Sequence, residues 1–129
     1  MLKTLLLMAA LVASPALAAR DDPDTQLQKA LAGRVAGKPT DCISLPNTQS
    51  SQIIRGKAII YRSGGRLYVN EPQSGANSLR DDDILVTRVT GSQLCSIDSV
   101  NLIDRASQVQ HGFVILGKFV PYSRPAKAK

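Results

Sequence analysis

Short runs of apolar residues alternate with polar residues and turn formers along most of the chain, a pattern typical of β-strands. The two clearest runs, residues 58–62 and 66–70, flank a pair of glycines and together predict a β-hairpin. Other strand candidates are residues 42–45, 84–89, 100–103, 113–116 and 118–120, the last two separated by a bulge or bend at Gly117, and residues 93–97 carry the second cysteine.

The hairpin has two possible registers. A two-residue turn at Gly64 and Gly65 sets Arg62 opposite Leu67 and mixes charge into both faces. A three-residue loop at residues 63–65 instead gives one uncharged face, and because a one-residue slip exchanges the faces, we predict this register. The uncharged face would consist of Ile59, Tyr61, Leu67 and Val69.

One helix is predicted near the start of the mature chain. Asp22 is placed to cap it, Pro23 takes the first helical position, and Asp24 favours the helix dipole. Leu27 and Leu31 follow at helical spacing, and so short a helix is stable only when such side chains dock on the domain.

These elements predict a mainly β protein with one short N-terminal helix. The expected architecture is a small antiparallel barrel or a curled sandwich of five to seven short strands, with the choice between them left open. We expect an N-terminal extension with the helix at residues 19–37, a single β domain at residues 38–121, and a basic, disordered tail at residues 122–129.

The first 18 residues have the parts of a secretory signal peptide. Lys3 gives a positive start, residues 5–13 are almost wholly apolar, and Ala16 and Ala18 form a small-x-small site that predicts cleavage after Ala18. The apolar run is shorter than the about 20 residues that cross a bilayer. The mature chain is therefore expected to be periplasmic or secreted, without a membrane span.

The positive charge lies largely at the C-terminus. The mature chain keeps 15 of the 16 basic residues and all 10 acidic ones, and Arg124, Lys127 and Lys129 supply three of the five net positive charges. A basic composition is therefore not evidence of a basic binding face. Export and the low aromatic content argue against nucleic acid as the partner.

Cys42 and Cys95 are the only cysteines. Export would place them where disulfides form and persist, so we predict a bond between them. A redox or metal-binding pair is disfavoured because the spacing is not Cys-x-x-Cys and the chain has a single histidine.

Four short motifs occur in order along the chain: residues 42–45 (Cys-Ile-Ser-Leu), residues 65–70 (Gly-Arg-Leu-Tyr-Val-Asn), Leu94-Cys95 followed by Asp98, and residues 116–121 (Leu-Gly-Lys-Phe-Val-Pro). On an exported chain, this order resembles a group of small exported bacterial proteins classed as a domain of unknown function, over residues 36–121. The resemblance implies an exported β domain and no reaction. Members often carry two more cysteines; residues 77–78 and 114–115 stand at those places here, so Cys42 and Cys95 would be the remaining bridge.

Candidate catalytic and metal-binding residues are few. His111 is the only histidine, and its setting between Gln110 and Gly112 predicts a surface turn. Asp98 and Asp104 would be the carboxylate pair of a hydrolase, but a hydrogen-bonding turn role is favoured for Asp98. The acids at residues 81–83 lack the ligand spacing of a calcium loop and predict a solvated turn. No metal, cofactor or catalytic residue is therefore predicted.

The expected function is a non-enzymatic exported domain that binds or supports a partner in the bacterial envelope. The alternative is a binder of anionic envelope components or other polyanions, through an arginine-bearing sheet face with a tyrosine. An enzyme is the third possibility, and a cleft that holds His111 with Asp98 or Asp104 would favour it. The candidate face consists of Arg62, Arg66, Tyr68 and Arg88.

Overall fold

The computed structural model of the protein describes residues 21–125, so the predicted signal peptide and residues 126–129 of the predicted tail lie outside it. Helix α1 spans Pro23–Ala30, and a short 3-10 helix spans Ala76–Ser78. The strands are β1 Val35–Ala36, β2 Cys42–Ser44, β3 Thr48–Ile54, β4 Ala58–Ser63, β5 Arg66–Asn70, β6 Ile84–Thr87, β7 Gln93–Cys95, β8 Ser99–Ile103, β9 Gln110–Ile115 and β10 Phe119–Ser123.

The ten strands form three antiparallel sheets, with orders β1-β10-β5-β4-β3, β2-β7 and β6-β8-β9. The predicted mainly β class with one short helix is confirmed, and the sheets of residues 21–125 are sandwich-like and do not close into a barrel. The prediction of five to seven strands was too low, because β1 and β7 have only two and three residues and β3 is mostly polar.

Helix α1 begins as the sequence predicts. The Asp22 side chain accepts a hydrogen bond from the Thr25 backbone N–H (2.7 Å), and this bond lowers the pKa of the carboxyl. Leu27, Ala30 and Leu31 pack on the five-stranded sheet, so the docking expected of the helix is confirmed.

The hairpin of β4 and β5 is confirmed, but its predicted three-residue loop is wrong. Ser63 pairs with Arg66, which leaves a two-residue turn of Gly64 and Gly65. Both glycines have positive φ, 59° and 79°. This is the type I′ geometry, whose twist matches that of the two strands.

The predicted register was wrong because both faces of this sheet are buried, whereas a single apolar face had been expected. Ile59 and Tyr61 face the main core, whereas Leu67 and Val69 face α1 on the opposite side. The four residues predicted to share a face are therefore divided between two cores.

The main core lies between the five-stranded sheet and the two smaller sheets. It consists mainly of aliphatic side chains from all three sheets and of Leu79 from the loop before β6. The rings of Tyr61 and Phe119 add an edge-to-face pair with their centroids 5.9 Å apart. Its buried members are Ile43, Ile59, Tyr61, Leu79, Leu94, Val100, Leu102, Val114, Leu116 and Phe119.

The folded unit extends beyond the predicted limits of residues 38 and 121. β1, at Val35–Ala36, pairs with Tyr122 and Ser123 of β10. Pro121, the last residue of the predicted β domain, lies inside β10 opposite Tyr68. Two residues of the predicted extension and the first two residues of the predicted tail are therefore part of the sheet.

Candidate functional site

The predicted disulfide is confirmed. Cys42 of β2 and Cys95 of β7 are directly opposite each other and bonded, with Cα atoms 4.0 Å apart. The Asp98 carboxylate accepts a hydrogen bond from the Cys95 backbone N–H (2.7 Å), as expected of a turn residue. The disulfide therefore joins two short strands that pair with each other over only three residues.

The predicted arginine face is not a single face. Arg62 pairs with Leu67 and lies on the side of the sheet that carries α1, whereas Arg66 pairs with Ser63 on the other side. Arg62 and Arg66 are exposed, and Tyr68 is half-buried against the main core. Polyanion binding stays a prediction, but the hairpin arginines do not form one surface for it.

Arg88 lies outside the five-stranded sheet altogether. It follows β6 and lines an open cavity of about 580 Å³ beside Cys95 and Asp98. The four predicted residues are therefore not brought together as one site.

The structure instead presents a groove between two unpaired sheet edges. β3 pairs only with β4, and β6 pairs only with β8, within the described part of the chain. Both free edges line one cavity of about 490 Å³, a size typical of ligand clefts. The lining residues are Ser51, Gln52, Ile53, Asp81, Asp83, Ile84, Leu85 and Arg105.

A buried aspartate–histidine contact lies at one end of the groove. Asp83, 5% exposed, meets His111 with an Oδ1–Nε2 distance of 2.7 Å. The other carboxylate oxygen accepts a hydrogen bond from the Arg80 backbone N–H (3.1 Å). The two contacts tie the loop before β6 to β9 in the same sheet.

A β-bulge places His111 at this position. Leu102 pairs with Gly112 and Ile103 pairs with Gln110, so His111 is an extra residue on β9 without a partner across the ladder. Bulges re-aim a side chain in this way. The predicted surface turn is therefore wrong, since His111 lies within a strand and only 17% of its side chain is exposed.

The acidic run is divided between solvent and interior. Asp81 and Asp82 are exposed, as a solvated turn predicts, but Asp83 is not. The Arg105 Nε–H donates to the Asp82 carbonyl (3.1 Å) and so supports the turn from the β8–β9 connection. No group of three or more His, Cys, Asp or Glu residues in the range 21–125 is placed to hold a metal ion.

Asp104 is close enough to His111 for an electrostatic interaction, but its carboxylate is hydrogen-bonded to Ser107. Its carboxylate accepts bonds from the Ser107 backbone N–H (3.0 Å) and hydroxyl (2.6 Å). These hydrogen bonds lower the pKa of Asp104. Asp98 is committed to the Cys95 turn, so the histidine–aspartate contact is made by Asp83, a residue that the sequence had assigned to solvent.

None of the helices among residues 21–125 has the length and apolar character needed to cross a membrane. Comparisons of the chain with protein families, with curated proteins and with solved structures find no match. The resemblance to a group of exported bacterial proteins therefore stays a prediction.

Proposed function

We propose that this protein is an exported, non-enzymatic binding domain of the bacterial envelope and that it holds its partner in the groove between β3 and β6. The observation that supports this proposal is the cavity lined by two unpaired sheet edges. Natural proteins usually pair, cover or charge the edges of their sheets. Here two edges line one open cavity, and the side chains Ser51 and Gln52 on one wall are exposed and uncharged.

The disulfide supports a place outside the cytoplasm. Bonds such as Cys42–Cys95 persist in oxidising compartments and are rare in the reducing cytosol. Together with the predicted signal peptide, the bond favours the periplasm or the extracellular space.

The Asp83–His111 contact supports binding over catalysis. One oxygen of the carboxylate is committed to the imidazole and the other to the Arg80 backbone N–H. A carboxylate used in this way holds the loop before β6 against β9, since both of its oxygens already have partners.

Site-specific photo-crosslinking in cells of the source organism tests the proposal. A benzoylphenylalanine would replace Gln52 in the groove, and the matched control would replace Gln28, which is exposed on α1. We expect a discrete adduct from the Gln52 position alone, and the partner, identified by mass spectrometry and purified, should bind the wild-type domain.

Equal labelling from both positions would contradict a site in the groove. Recovery of the chain in the cytoplasm, with Cys42 and Cys95 as free thiols, would contradict the proposed compartment.

A further inference from the structure

We infer that the ligand of the groove is an extended, linear polypeptide segment that inserts as a strand between β3 and β6. The inference rests on the proposed function, because it names the chemistry of what the groove binds. It follows from the direction of the backbone groups along the two edges, from the side chains beside them, and from the presence of two edges rather than one.

The unpaired backbone groups of β3 can be assigned from the hairpin. Ser63 and Arg66 close a two-residue turn, so this pair exchanges hydrogen bonds between β4 and β5. Backbone groups alternate in direction along a strand, and Arg62 therefore directs its N–H and C=O to β3. The same alternation on β3 leaves the groups of Ser51 and Ile53 directed away from β4, along the free edge.

The unpaired groups of β6 follow by the same reasoning. The Asp98 carbonyl accepts a hydrogen bond from the Leu116 N–H (2.9 Å), so the backbone groups of Asp98 are directed to β9. This contact fixes which residues of β8 direct their backbone groups to β9 and which to β6. Asn101 is then directed to β6, where it pairs with Val86. The β6 residues on either side of Val86, Leu85 and Thr87, direct their backbone groups away from β8.

Each edge therefore offers N–H and C=O groups at the two-residue spacing of a β-ladder. Donors and acceptors at this spacing match the backbone of an extended chain, which is how peptides are recognised by strand addition. A folded domain or a small anion would leave most of these groups unpaired.

The side chains indicate the sequence pattern of the ligand. Ile53 and Leu85 are half-buried and pack on the main core from opposite sides of the groove. A strand between them would cover both with every second side chain, so the ligand should carry apolar residues at alternate positions. The charged lining residues Asp81, Asp83 and Arg105 lie before β6 and after β8, outside the two free edges, so they do not interrupt this face.

The presence of two edges distinguishes this ligand from a second copy of the protein. A second copy would bring its own β3 or β6, each already paired on one side. Such a strand can add to one edge but cannot pair with both. A segment that is unpaired on both sides satisfies both edges, and such a segment is a linear stretch of a partner protein.

The test uses the oxidised mature protein and a phage-displayed library of random linear peptides of about ten residues. The selected peptides should share apolar residues at positions i, i+2 and i+4. Ser51→Pro removes one N–H at the free edge without touching the β3–β4 ladder, and it should weaken binding of a selected peptide about 10- to 100-fold. Ser51→Ala keeps that N–H and is the matched control, with binding within about twofold of wild type.

Thr87→Pro repeats the test on the other edge, and thermal unfolding confirms that each variant is folded. A library without enriched peptides, or a peptide that binds Ser51→Pro and Thr87→Pro as tightly as wild type, would overturn strand insertion. A concentration-dependent dimer that Ser51→Pro abolishes would assign the edge to a second copy instead. Crosslinking to a partner from Gln52 together with a failed peptide selection would leave the proposed function in place and remove only this inference.

Discussion

Replacing Tyr61 with phenylalanine should make the protein more stable. The Tyr61 side chain is 5% exposed, and its hydroxyl has no hydrogen-bond partner among residues 21–125. Phenylalanine keeps the ring that packs edge-to-face on Phe119 and removes only the buried oxygen.

The size of the effect follows from the cost of a buried, unpaired hydroxyl. Mutational data place that cost at about 1–3 kcal/mol, and the lower half is expected where the retained ring also stays in contact. We therefore expect Tyr61→Phe to raise the free energy of unfolding by about 1–2 kcal/mol. For a domain of this length, each kcal/mol corresponds to an increase in Tm of about 4 °C.

The effect should grow in alkaline solution. Burial raises the pKa of the Tyr61 phenol above its ordinary value of 10.0. The unfolded chain therefore loses this proton first, and wild-type stability should fall as the pH rises above about 10, by up to about 1.4 kcal/mol per pH unit. Tyr61→Phe lacks this group, so its stability advantage should widen over the same range.

Urea unfolding of the oxidised protein at pH 7 and at pH 10.5 measures both effects. Tyr68→Phe is the matched control, because Tyr68 is the cross-strand partner of Tyr61 and is only half-buried. Its change at pH 7 should stay within about 0.5 kcal/mol. A loss of 1 kcal/mol or more in Tyr61→Phe would refute the reasoning, since it would mean that the hydroxyl is favourably bonded in the folded protein.

Three further predictions concern the contacts that hold the sheets together. A double replacement of Cys42 and Cys95 by alanine should lower the free energy of unfolding by about 4 kcal/mol at a loop separation of 53 residues, and an unchanged urea midpoint would contradict this. Asn70→Ala should lower the free energy of unfolding by about 3 kcal/mol, because the buried Asn70 side chain hydrogen-bonds both the carbonyl and the N–H of Gly117. Thermal unfolding measures this loss, and a change below 1 kcal/mol would contradict the prediction. His111→Ala should lower the free energy of unfolding by about 3 kcal/mol, because it leaves the Asp83 carboxylate buried without its imidazole partner. Asp83→Asn keeps an acceptor oxygen and should lower it by less. An equal loss of stability in the two variants would argue against the contact.

The local elements of this fold were predictable wherever neighbouring residues decide them. The Asp22 cap and Pro23 predict where α1 begins, and the two glycines between apolar runs predict the hairpin. The disulfide follows from the cysteine count and the signal peptide. Each of these inferences depends on residues close together in the chain or on the compartment.

The register of the hairpin and the location of the groove depend on distant parts of the chain. A two-residue turn looked unfavourable for Tyr61 and Leu67 only because one face was expected to meet solvent. α1 and the smaller sheets cover the two faces separately. His111 was misplaced for a similar reason, since a one-residue bulge in β9, and a carboxylate 28 residues away, decide its surroundings. No strand was predicted at the polar residues of β3, because nothing local shows which partner strand they pair with.

The burial of the hairpin on both sides also determines what the smallest independent folding unit is. Residues 21–37 look like a dispensable leader to the β domain, yet they carry α1, which covers Ile60, Leu67 and Val69. A chain that started at Lys38 would expose this apolar sheet surface beside a free strand edge, the combination that promotes aggregation. The N-terminal helix therefore serves this protein as a solubility device, and attempts to trim it should yield insoluble material even though the main core is complete without it.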